Sequence, residues 1–231
     1  MKVKLPGTAC FFCLIFFISC AVRNSALFIP VPDFSIYENE KIINKDDIVE
    51  TKNGGMIQLM PEWLLAFIDG GTEAVEMLDA FGDEYVFMGI NEGENFTALN
   101  KWAENFSAEQ DFAMLAATRI ENRMILTATL FPDDEYGAFF ETLVKNAYGQ
   151  VYTGAEKVDV YWVRIRTSNE DGALRNPPPE IYKFFVLFTI KRDTMQTIIK
   201  SMMTQARAAV PLRGSQAASV HRLQQNFFTD F

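Results

Sequence analysis

Histidine is almost missing from this chain: His221, in the C-terminal tail, is the only one in 231 residues. A Ser/His/Asp triad needs a histidine beside both a nucleophile and a carboxylate, and a lone tail histidine reads as a solvated side chain. Cysteine is nearly as scarce, with Cys10, Cys13 and Cys20 confined to the first twenty positions. Zinc sites built from His and Cys ligands therefore lack the residues to form. There is no excess of positive charge either. Lysine and arginine total 21 against 30 acidic residues, a net charge of −9. Phosphate backbones are recognised by basic patches, so no nucleic-acid partner is expected. Fixed-period repeats and low-complexity segments are absent.

What is present begins with the leader. Lys2 and Lys4 form a short positive region, and residues 9–18 are an unbroken apolar run. At 1.5 Å per residue that run covers about half of a roughly 30 Å hydrocarbon core, so it is too short to span comfortably. A positive flank, a short apolar core and a small residue make a secretory signal. Here the small residue is Ser19, and Cys20 follows at once. The pair resembles a bacterial lipobox, in which the cysteine is acylated and becomes the first mature residue. The usual leucine three places before the cysteine is replaced by Phe17, a departure that spirochaete lipoproteins tolerate. The expectation is a signal peptide over 1–19 and a lipid anchor on Cys20. An ordinary cleaved signal and an uncleaved anchor extended through Val22 are the alternatives. Cys10-x-x-Cys13 has redox or metal-binding form, but it lies inside the apolar run. With the leader removed, Cys20 is the only cysteine and no internal disulfide can form.

The remaining chain is long enough to bury roughly 70% of its unfolded surface. Its 21 phenylalanines supply a core. Residues 20–55 read as a tether and arm, extended at Pro30 and Pro32. Its apolar stretch 27–31 is expected to pack on the domain, and Asn53-Gly54-Gly55 marks a turn. A domain over 56–209 follows. Pro61 and Glu62 open a helix carrying Trp63, Leu64, Phe67 and Ile68, which Gly70-Gly71 ends. Thr72 caps a second short helix. Residues 85–90 (YVFMGI) predict a buried strand, and 91–94 a loop. Leu99, Trp102, Ala103 and Phe106 share a helical face. Ser107 to Gln110 has the form of a capping box before a further helix. Residues 125–131 (ILTATLF) predict a strand. Asp133-Asp134 are expected to cap the clearest helix, with Tyr136, Phe139, Phe140, Leu143, Val144 and Ala147 on one stripe and Gly149 as its stop. Residues 158–165 and 181–190 predict two neighbouring antiparallel strands, the second apolar on both faces and hence central. Asp193 is expected to cap the last helix, and 210–231 to form a loose tail. The pattern predicts an α+β fold: a mostly antiparallel sheet of about four strands, with helices packed mainly on one face.

The candidate chemistry is sparse. Asp133, Asp134 and Glu135 have the composition of a cation site, but capping accounts for them more simply. Glu92 and Glu94 follow the strand of Gly89 and could stand at a cleft mouth. Their charge argues against a phosphate cradle between Gly89 and Gly93. Trp63, Trp102 and Trp162 each lie on an inferred core face. Together Trp63, Glu92, Glu94 and Trp102 are the candidate ligand or partner surface. Asp159 reads as a solvated strand end, and Arg164 and Arg166 as ion-pairing partners. Asn95-Phe96-Thr97 and Asn105-Phe106-Ser107 match the N-x-[ST] pattern, taken as coincidence in a bacterial lipoprotein.

Pro61-Glu62-Trp63, the strand ending at Gly89, the helical stretch with Ala98, Ala103, Ala113, Ala116, Ala117 and Arg119, and the strand 182–190 leading into a helix carry a family resemblance. Over roughly residues 56–205 the chain is similar to small bacterial envelope lipoproteins of the twenty-kilodalton (Lpp-twenty) type. It departs from their pattern in a longer turn after Met88 and an interruption at 105–107. The resemblance implies a non-enzymatic lipoprotein of the outer membrane or cell surface that binds or scaffolds an envelope protein, with no cofactor. Ala21, not an acidic residue, follows Cys20, which by analogy favours the outer membrane. A module binding a small apolar ligand and a carboxylate-dependent hydrolase are the alternatives.

Overall fold

The computed structural model describes residues 43–54, 59–129, 136–167, 179–228 and 231, all within one compact unit. Ser19, Cys20, the arm segment 27–31 and the trio 133–135 lie outside the described residues. The elements run β1 (Ile48–Thr51), α1 (Glu62–Glu76), β2 (Glu84–Gly93), α2 (Phe96–Asn105), α3 (Asp111–Thr129), α4 (Gly137–Tyr148), β3 (Glu156–Arg166), β4 (Glu180–Lys191), α5 (Arg192–Ala209) and α6 (Ser215–Asn226). The four strands form one antiparallel sheet in the order β1-β3-β4-β2. The α+β expectation is met.

Side chains alternate across the sheet and build two cores. On one face Tyr85, Phe87, Phe184, Val186, Phe188 and Ile190 pack under α2 to α6. On the other, Val86, Met88, Tyr161, Val163, Phe185 and Leu187 meet α1, Ile43 and Met60. Helices thus lie mainly on one face. As its apolar residues on both faces require, β4 is central, held by β3 on one side and β2 on the other.

Several local readings change. Residues 125–129 belong to α3 and not to a strand. Met124 and Thr127 are buried three apart, and the Thr127 hydroxyl donates to the Arg123 carbonyl at 2.8 Å. A branched residue inside a helix can satisfy its hydroxyl this way. The fourth strand is instead β1, inside the stretch read as an arm, where it forms the short edge next to β3. The residues after 210 are not loose. They form α6, with Val220, Leu223, Phe227 and Phe231 in the larger core. The helix opened by Asp193 starts at Arg192 and has no side-chain cap. The Ser107 hydroxyl does accept from the Gln110 N–H at 3.1 Å, but the reciprocal acceptor for the Ser107 N–H is Asp111, at 2.7 Å. At Gly70 and Gly71 α1 breaks, Gly71 having φ +68°, which gives the two short helices expected there.

Candidate binding cleft

β2 is an edge strand, and its outer side gathers charged side chains. In an antiparallel ladder alternate residues aim their N–H and C=O at the partner strand, and those between aim them away. Val86 aims away from β4. Its N–H donates to Glu76 Oε1 at 2.8 Å, and its carbonyl accepts from Arg119 Nη1 at 3.2 Å. Arg119 also pairs with Glu76 at 2.6 Å, and Arg192 Nη2 reaches the other Glu76 oxygen at 3.2 Å. The Glu76 side chain is only 9% exposed. Two guanidinium groups and one amide surround it, which is what a buried carboxylate requires. Arg119 lies 4.8 Å from the Tyr85 ring and 5.2 Å from the Phe231 ring, and Arg192 lies 4.5 Å from Tyr85. These cation–π contacts fix the two arginines as flat plates against the core.

Beside this plug a cleft of about 440 Å³ opens along β2 from Val86 to Ile90. One wall is α1 at Phe67 and the Gly70–Gly71 break; the other is α3 at Leu115, Asn122 and Leu126. The volume lies in the range of small-molecule and peptide sites. Arg123, on the α3 wall, donates to the carbonyls of Asn226 and Phe227, closing the end of α6. Comparison with protein-family models, with curated proteins and with solved structures gave no match.

The four residues expected to form one surface are not brought together. Trp63 is on α1, in the smaller core, and its indole N–H donates to Asp159 Oδ2 at 3.1 Å. Asp159, read as a solvated strand end, thus has a buried partner. Trp102 packs edge-on against Phe106 at 4.9 Å in the larger core, on the opposite face of the sheet. Glu92 is the penultimate residue of β2, not a loop residue, and its carboxylate meets Lys183 at 3.1 Å across the ladder. Lys183 is 6% exposed, so this pair is half-sunk in the smaller core. Glu94 follows, exposed, just past the strand. Trp162 lies with Phe96 at 5.2 Å and Tyr182 at 5.8 Å in an aromatic group that fills the core. Arg164 pairs with Glu50 and Glu180 as expected of an ion-pairing strand residue.

Sequence reading missed Glu76 and Arg192. One signal was available: Glu76 ends α1 and Arg192 begins α5. Each charge sits at the helix end that its dipole disfavours. Such a placement needs a compensating partner, and here each supplies the other's. Lys157 was also missed. Its ammonium donates to the carbonyls of Ala103, Glu104 and Phe106, closing the end of α2. Burial lowers its pKa, and Asp111 and Glu104 work against that shift. Gly89 serves packing, since a Cβ there would lie 2.8 Å from the Phe106 ring. Asn95, the first residue of one N-x-[ST] pattern, is the α2 cap and accepts from the Ala98 N–H at 3.0 Å.

Among the described residues no three His, Cys, Asp or Glu side chains gather as a metal site. Among them, too, no helix is long and apolar enough to cross a membrane.

Proposed function

We propose that this chain is a non-enzymatic lipoprotein of the bacterial envelope, anchored by a lipid on Cys20, with the outer membrane preferred. Its compact domain binds or scaffolds an envelope protein through the cleft beside β2. The observation that carries the binding reading is the β2 edge, lined on both sides by helices and, among the described residues, plugged at one end by Glu76 and Arg119. The anchoring reading is supported by the leader, in which Ser19-Cys20 follows the apolar run. The resemblance to the twenty-kilodalton lipoproteins agrees with both. A second reading, capture of a small apolar ligand, is favoured by the cleft volume of about 440 Å³ and by Phe67, Leu115 and Phe231 in its lining.

A photo-crosslinking amino acid at Leu126, exposed and lining the cleft, separates these readings when compared with one at Met77, which is exposed outside it. In cells, position 126 is expected to give a discrete protein adduct that position 77 does not. An adduct of small mass only would favour the ligand reading. Equal labelling at both positions would remove the cleft from consideration.

A further inference from the structure

The floor of the cleft says which conformation its occupant adopts; the argument rests on the cleft being the binding site. Val86 turns its N–H and C=O away from β4. By the two-residue period of a strand, Met88 and Ile90 do the same. They stand opposite Leu187 and Phe185 of β4, positions that the same period makes non-hydrogen-bonded pairs. Among the described residues, none bonds the outward groups of Met88 or Ile90. Both residues line the cleft.

Donors and acceptors repeating at strand spacing on one line are matched by another extended backbone. Such a backbone would send alternate side chains to the two walls. Each wall offers apolar side chains, Phe67 on the α1 side and Leu115 and Leu126 on the α3 side, set among the polar Thr72, Glu73, Thr118 and Asn122. The two ends differ. At Val86 the Glu76–Arg119 pair already occupies the edge. Past Ile90 the strand leads out through Glu92 to the exposed Glu94, in a chain with 30 acidic and 21 basic residues.

We infer that the cleft takes an extended peptide segment of a protein partner as an added strand on β2, with apolar side chains set against Phe67 on one face and Leu115 and Leu126 on the other, and with lysine or arginine where it leaves past Glu94.

The test uses the full chain and a fluorescent peptide, Lys-Lys-Val-Ile-Val-Leu-Thr, read by anisotropy. Two further peptides carry N-methyl groups on alternate amides of the apolar run, one on each parity. Only one parity of an added strand donates to β2. One methylated peptide is therefore expected to bind about tenfold or more weakly than the parent, and the other within about twofold of it. Equal behaviour of the two would overturn strand addition and leave the cleft reading standing on the crosslink at Leu126. No binding of the parent peptide would also overturn it, with the same separation. Met88→Pro removes the outward N–H without touching the β4 ladder. It is expected to match the tenfold loss, with a lowered thermal midpoint because Met88 also leaves the smaller core, so binding is read well below that midpoint with circular dichroism matching the parent chain. Glu94→Lys is expected to weaken the lysine-bearing peptide several-fold and to leave a version without lysines unchanged. Sedimentation showing a dimer that the peptide cannot dissociate would assign the edge to a second copy and sink the proposal.

Discussion

Glu76 is the residue on which the cleft end depends. Glu76→Ala would strand two guanidinium groups and the Val86 N–H in a half-buried site. Breaking one side of such a network costs about 2–4 kcal/mol, discounted from a fully buried pair because both arginines keep some solvent contact. Urea denaturation should show that loss, and Glu76→Gln, which still accepts from Val86, should lose less. Tyr152 makes a second prediction at this scale. Its hydroxyl donates to the Ala147 carbonyl at 3.2 Å, and burial pushes its pKa well above the ordinary 10.0. The unfolded phenol ionises near pH 10 while the folded one stays neutral. Its contribution is therefore fully present below pH 10 and is lost as pH rises beyond it, at about 1.4 kcal/mol per unit. Tyr152→Phe should remove that alkaline loss at a cost of about 1 kcal/mol at neutral pH. The check is unfolding free energy measured at pH 8 and above pH 10 for both proteins. The role of Tyr152 had no signal in the sequence, and that of Glu76 showed only as a charge at the wrong helix end, because its partner Arg192 lies 116 residues away.

At the scale of elements, period carried far more. The alternation in β3 and β4 and the stripe of α4 correctly gave faces and neighbours, since burial on one side dictates the side chains there. Composition misled where period was ambiguous. Ile125 and its neighbours are β-branched or apolar, yet α3 continues through them because Met124 and Thr127 face the core one turn apart. β1 is only four residues long, and none of its side chains makes a run that alternation can detect. The number of strands was right through compensating errors at these two places. Contact between β2 and α2 gives a prediction of its own. Gly89→Ala should cost about 1–3 kcal/mol, because Phe106 is buried against Trp102 and Phe188 and has little room to give. A melting curve beside that of the parent chain tests it. Gly71→Ala should also destabilise, by about 1 kcal/mol or more, since its φ of +68° is strained for any side chain.

For the whole molecule, the two cores lie on opposite faces of one sheet and share β4, so damage to either reaches the other. Removing residues 227–231 takes Phe227 and Phe231 out of the larger core and deprives Arg123 of the Phe227 carbonyl. A loss of about 3–5 kcal/mol is expected from the two rings, measurable as an earlier urea midpoint. Anchoring is tested at this scale too. Cys20→Ala should abolish fatty-acid incorporation and release the protein from membranes, and continued labelling would refute the lipobox reading. The plug at Val86 has one more consequence. Unpaired strand edges are seeds for edge-to-edge polymerisation. With Glu76 and Arg119 saturating Val86, and helices standing on both sides, two such edges cannot zip along their length. The saturated position thus limits how far β2 could pair with the same edge of another copy.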